Sequence, residues 1–263
     1  MLSTSQVGLL AALAAASIWS CASLLFSTAG RSLQPSSVNL LRLLFALGMM
    51  LSTHLLQSGA LLPEASQAQW ILLSISGVIG LGLGDLALFY AFDAVGPRLA
   101  MLVAASAPVM ATLLGVGFFK DSLGLSSLLG TALTLFGIAW VVSERSEGAH
   151  SKPKQLRRGV IFGLLAAAGQ AIGMLFSKQG MTQGADIAAQ DAALIRMLSA
   201  SAVMLPLQLL WRRRQAPAET TQAEGKPSLT KSLLLIAVGS FMGTYLGMSL
   251  SLVASRDAAM GEA

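Results

Sequence analysis

Over 263 residues, 54% hydrophobic side chains against 11% charged ones, with a mean hydropathy of +0.70, exclude an ordinary soluble domain and leave room for about eight membrane-crossing helices. The net charge of +5 sits in loops between apolar runs, which is a topology signal and not a phosphate-binding footprint, so no nucleic-acid partner is expected. A lone Cys21 excludes an intramolecular disulfide and a multi-cysteine metal site, and no metal site is expected.

The first predicted span covers residues 7–28. Residues 1–6 carry no Lys or Arg, so the segment lacks the basic start of a secretory signal and reads as a retained helix. Its Trp19, Ser17, Ser20 and Ser23 are expected to serve helix packing and to bond the preceding turn. A loop from Arg31 to Pro35 leads to the second span, 37–57, which contains Arg42.

The third span, 70–92, holds a single charge, Asp85, behind Gly77, Gly80, Gly82 and Gly84. Gly80-x-x-x-Gly84 puts two positions without side chains on one face, where another helix can come close; the first, second or fourth span is the expected neighbour. A tight turn over 93–98, with Gly96-Pro97, precedes the fourth span, 99–119. Pro108 near its centre predicts a kink, a candidate hinge. Lys120-Asp121 ends that span, and the fifth covers 126–143 with Gly130 and Gly137 on similar faces.

Residues 144–158 form a polar linker with five basic residues. The sixth span, 159–177, contains Gln170; the seventh, 188–211, contains Arg196; a second polar loop, 212–231, precedes the eighth span, 232–254.

The two halves echo one another. NLLRLL around Arg42 matches ALIRML around Arg196 at an offset of 154, Leu25-Phe26-Ser27 matches Leu175-Phe176-Ser177 at 150, and Gly84-Asp85 aligns with Gly243-Thr244 at 159. A unit of five spans is odd in number, so its second copy enters the membrane inverted, an architecture that recurs in secondary transporters. Counterparts of the fourth and fifth spans belong at about residues 256–302, beyond Ala263, so the chain reads as a shortened ten-helix protein whose last two helices are absent or supplied by a partner.

These features resemble the drug/metabolite transporter superfamily in its EamA-type two-repeat form. The resemblance rests on Arg42 and Arg196 and on the Gly84-Asp85-x-x-x-Tyr/Phe-x-Ala run leading to Gly96. In this chain the aromatic position of that run is Phe89, followed by Tyr90 and Ala91; the resemblance also rests on the stretch from Ala100 to Pro108, an acidic residue at that helix's end, and Gly130 and Gly137. Lys120-Asp121 stands where members usually show Gly-Glu. The resemblance implies ten helices, a substrate cavity between the halves and transport of small metabolites, often export.

The intramembrane polar groups are the candidate site. Arg42 lies about 7–8 Å deep in its span and Asp85 about 10 Å deep in an antiparallel one, on the same side. A pair between them is expected, either as a static charge pair or as a coupling element. Arg196 finds Thr244 where the repeat would place an acid. It pairs with Asp191 on its own helix, snorkels, or receives a substrate carboxylate or phosphate. Gln170 suits a helix–helix hydrogen bond, and Tyr90 and Tyr245 suit packing, with cavity lining or substrate contact as the other reading for each. Gly80-x-Gly82-x-Gly84 lacks the spacing of a dinucleotide fold. No HExxH, GxSxG or Walker sequence and no nucleophile–base pair is present, so neither an enzyme nor a cofactor is expected.

Loop charges set the orientation. Twelve basic residues, including those of the linker and of the 212–231 loop, fall on one side; Lys120, Lys178 and Arg256 fall on the other. The first side is therefore cytoplasmic and both termini are outside. The expected fold is an all-α polytopic membrane protein of eight transmembrane helices. It comprises a first five-helix repeat (1–143), a basic linker (144–158) and an incomplete inverted second repeat of three helices (159–263). The expected function is secondary-active, alternating-access transport of a small metabolite across a bacterial inner membrane. The partners are that substrate, the lipid bilayer and a second copy of the chain. A non-transporting membrane scaffold or subunit, or an inactive fragment of a ten-helix transporter, is the alternative.

Overall fold

Local chemistry sets most helix ends. α1 is Thr4–Ala29; within it the hydroxyls of Ser17, Ser20 and Ser23 bond carbonyls of the preceding turn at 2.9, 2.9 and 2.7 Å, as expected. Pro35 opens α2 (Pro35–Ser58), where its missing N–H costs nothing, and Gly59 closes it in the left-handed region at φ 70°. Ser66 and Gln69 form a capping box at the start of α3 (Gln67–Ser76). A computed structural model describes residues 4–119, 125–148, 153–184, 186–214 and 227–247.

α3 does not continue as a plain α-helix. Gly77–Gly84 is a π-helical segment, π1, in which the Asp85 N–H reaches back five residues to the Gly80 carbonyl; α4 (Asp85–Ala104) follows without a break. The turn expected over 93–98 is a kink inside α4 at Gly96, with φ 78° and ψ 165°, a conformation open to glycine, followed by Pro97. The helix then stops at Ala105-Ser106, and α5 (Ala107–Phe119) begins. Pro108 is thus the second residue of a new helix and does not kink the middle of an old one. In the first turn its lack of an N–H leaves no carbonyl orphaned.

α6 (Leu125–Gly148) and α7 (Pro153–Thr182) run into the polar segment expected as a linker, of which 149–152 lie outside the described residues. α8 is Ala189–Arg214, and α9 (Leu229–Gly239) passes into a second π-helical segment, π2 (Ser240–Leu246). The last residues of the expected eighth span, 248–254, and Lys120-Asp121 lie outside the described residues. Among the described residues the chain is all helix, with no strand, and five helices are long and apolar enough to cross a membrane: Pro35–Ser58, Gln67–Ala104, Pro153–Thr182, Ala189–Leu210 and Leu229–Leu246. Large apolar side chains such as Leu56, Leu133, Trp140 and Met174 point outward, as a bilayer-facing surface requires.

Glycines fix how these helices meet. The Gly80/Gly84 face packs on α7, the sixth span, and not on the first, second or fourth. A Cβ on Gly169 would lie 2.7 Å from the Gly84 Cα, and one on Gly173 would lie 2.9 Å from the Gly80 Cα. Two Gly-x-x-x-Gly pairs therefore face each other, so the backbones themselves are in contact, and dispersion at this range replaces the hydrophobic drive that lipid removes. Gly77 lies against the Arg196 backbone of α8. In the other direction, Gly239 and Gly243 of α9 and π2 lie against Phe26 and Ala22 of α1. The third span thus sits on α7 and α8, while the eighth sits on α1 and α2.

Candidate functional site

The π-turn and the glycine contact bring four polar side chains from two halves to one place. Arg42 of α2 donates from Nη2 to Asp85 Oδ2 at 2.6 Å, and both side chains are almost fully buried, at 1% and 2% exposure. Gln170 of α7 donates from Nε2 to the other carboxylate oxygen, Oδ1, at 2.5 Å. The expected pair exists, and the helix–helix hydrogen bond expected of Gln170 is made to the same acid. Asp85 is therefore gripped from its own half by an arginine and from the opposite half by an amide.

π1 supplies the rest of the frame. Asn39 Nδ2 donates to the Gly82 carbonyl at 2.9 Å, and its Oδ1 accepts from Arg42 Nη2 at 3.2 Å. Arg42 also lies over the Phe89 ring, 5.9 Å from its centroid. Asn39 was not among the residues expected in the site. A polar residue one turn before Arg42 in an apolar span is the signal that could have found it.

Arg196 comes to the same cluster without an ion pair of its own among the described residues. Its Nη2 is 3.6 Å from where a Gly80 Cβ would stand, near enough to Asp85 for their charges to interact, and its Nε is buried without a partner. The Nε and Nη1 of Arg42 and the hydroxyl of Thr244 are likewise buried and unpartnered. One carboxylate thus stands among two guanidinium groups, ion-paired to Arg42 alone, a formal excess of one positive charge. Asp191 does not pair with Arg196. Its Oδ1 lies 2.8 Å from Nδ1 of His54 on α2, because the start of α8 meets the end of the antiparallel α2, whereas Arg196, five residues on, stands on a different face of α8. His54 was not expected to take part in anything.

The remaining candidates lie elsewhere. Tyr90 stacks on Phe162 at 5.2 Å between centroids. Tyr245 stacks on Phe241, its hydroxyl 2.9 Å from that of Thr53, and lines a groove of about 480 Å³ between α2 and π2. Pro108 begins α5. A second cleft, of about 280 Å³, opens at the first-loop end of α1, α2 and α4. Arg31 and Asp93 line it, as does Phe89, the ring beneath Arg42.

The EamA-like transporter family model matches residues 6–143, slightly more than half of the chain. This protein belongs to that family. No curated protein matches the sequence. A solved crystal structure matches in fold, at a TM-score of 0.55 and 17% identity, over 99% of this chain and 87% of the other. Membership makes the chain a membrane transporter of small molecules, with the Arg42–Asp85–Gln170–Arg196 cluster at the contact between the halves of this EamA-like protein.

Proposed function

We propose that the chain is a secondary-active carrier that moves a small metabolite, in the export direction, by alternating access across a bacterial inner membrane. The observation that carries this reading is Asp85, buried and hydrogen-bonded from both halves, beside two arginines that exceed it by one charge. A static scaffold has little use for an uncompensated cation at a half-to-half contact, where burial is costly. A substrate carboxylate or phosphate arriving at Arg196 would supply the missing negative charge and compete with Asp85 for the guanidinium groups. Rocking of the halves would break the Gln170–Asp85 bond, which spans them. The first-loop cleft, one aromatic ring from Arg42, supports an approach route from the side that loop charges read as cytoplasmic. The reciprocal packing of the third span on α7 and α8 and of the eighth on α1 and α2 supports an inverted repeat.

The test is counterflow in phosphatidylethanolamine/phosphatidylglycerol vesicles carrying the purified chain, against a panel of carboxylates, amino acids, phosphorylated sugars and organic cations. Saturable exchange of an anionic class is expected, abolished by Arg196→Gln. No exchange of any class by folded protein overturns the carrier reading.

A further inference from the structure

α2 and α8 run antiparallel and are tied twice. At the first-loop end Gln208 Nε2 donates to Ser37 Oγ at 2.8 Å; at the other end His54 Nδ1 meets Asp191 Oδ1, also at 2.8 Å. The offset of 154 residues that relates Arg42 to Arg196 also carries Ser37 onto Asp191 and His54 onto Gln208. The two ties are therefore one contact made twice, at opposite faces of the membrane. The inner copy is a neutral hydroxyl–amide bond. The outer copy has been replaced by two ionisable groups.

We propose that His54 and Asp191 form a proton-binding site that holds the outer closure of the carrier and makes its opening depend on external pH. Both ring nitrogens of His54 face oxygen atoms. Nδ1 faces the carboxylate, and Nε2 lies 3.1 Å from Ser58 Oγ, which gives its own proton to the His54 carbonyl at 2.8 Å, accepts from the Ala60 N–H at 3.1 Å, and keeps one lone pair for a ring N–H. With side-chain exposures of 11% and 26%, the pair is buried enough to matter and wet enough to exchange a proton with outer water. When the imidazole takes up that proton, an ion pair closes α2 on α8; when it gives the proton back, a weaker bond from the neutral ring to the carboxylate remains. Acid outside favours the closed outer face. The inner tie, a serine hydroxyl and a glutamine amide, carries no titrating group and does not respond.

Among the described residues, neither His54 nor Asp191 has a second ion pair. Met50, Thr53 and Gln57 of α2 and Gln190 of α8 line the space around the pair, and the Tyr245 phenol of π2 stands one hydrogen bond away through Thr53. From α3, Trp70 packs against the cluster that holds Ala192, the residue after Asp191. Of the other charged groups at this end, neither ion pair among the described residues includes Glu64, Lys178 of α7 or Asp186. Arg196 lies five residues further along α8, against Gly80 of π1.

This inference rests on the two-state reading of the preceding subsection, and its test separates the two. Nitroxide labels at Leu56→Cys and Ala188→Cys, in a Cys21→Ser background, report the outer gap; labels at Arg31→Cys and Leu210→Cys report the inner one. Distances are measured in the same vesicles at about pH 5 and about pH 8, either side of the histidine range. The outer distance is expected to be shorter at about pH 5 than at about pH 8, and the inner distance to be the same at both. His54→Gln removes that response, and so does the His54→Gln/Asp191→Ser double variant, which rebuilds the inner contact at the outer end and keeps the helices joined. An outer distance indifferent to pH in the parent, or a response surviving in both variants, overturns the proposal. Counterflow with no pH effect on the distance sinks the proton site alone. A pH-dependent distance without counterflow sinks the carrier reading alone.

Discussion

Asp85 has both carboxylate oxygens engaged, by Arg42 and by Gln170, inside a site that holds two cations. Asp85→Asn leaves those cations without their counter-charge, and breaking a buried pair from one side costs about 3–5 kcal/mol. Thermal unfolding in detergent is expected to show that loss. The double variant Asp85→Leu/Arg42→Met, which removes the pair together and leaves only Arg196 without the carboxylate, is expected to regain part of it. An Asp85→Asn protein that melts with the parent refutes the pair as a stabilising element; one that also transports normally at every pH refutes any coupling role. Gln170→Ala strands one carboxylate oxygen, and a loss of about 1–3 kcal/mol is expected in the same measurement. The Arg42–Asp85 pair was legible in the sequence because two antiparallel helices placed both groups on one side at similar depth. Asp191 was not. Its helix offered Arg196 as a partner, and the real one, His54, belongs to a span far away in the chain.

At the scale of elements, glycine contacts decide which helices touch. Gly169→Leu drives a side chain into the Gly84 backbone, which cannot yield, and should destabilise by more than the about 1–3 kcal/mol typical of overpacking. Gly130→Ala on α6, with nothing within 4 Å of a new Cβ, should be neutral in the same thermal assay. Equal effects from the two would mean that the α7–π1 contact is not what holds the halves together. Gly80-x-x-x-Gly84 was readable as a packing face, yet its partner was not inferred, although Gly169-x-x-x-Gly173 stood in the sequence with the same signature. The π-turn left no local signal either. It follows from seating Gly77, Gly80 and Gly84 against other backbones while Asn39 and Arg42 satisfy the Leu81 and Gly82 carbonyls. Pro108 carried a mid-helix expectation because hydropathy runs straight through it. The short break at Ala105-Ser106 is invisible to an apolar window.

Across the whole molecule, the loop charges divide twelve to three. Reporter fusions after residue 150 are expected to read cytoplasmic and fusions after residue 60 external. The reverse pattern would move the His54–Asp191 end to the inside and reverse the side on which acid acts. The sequence by itself determined that the chain is a helical membrane protein with an echo between its halves and acidic and basic groups at matched depth. Composition, span length and order are one-dimensional properties, and lipid leaves helices as the only spans these residues can form. Only the tertiary structure decided which faces meet: Gly84 on Gly169, Gln170 on Asp85, Arg196 beside Gly80, and His54 on Asp191. Such meetings depend on the rotation and crossing of helices far apart in the chain. A one-residue turn of any helix, about 100°, would present a different side chain while leaving every sequence pattern unchanged.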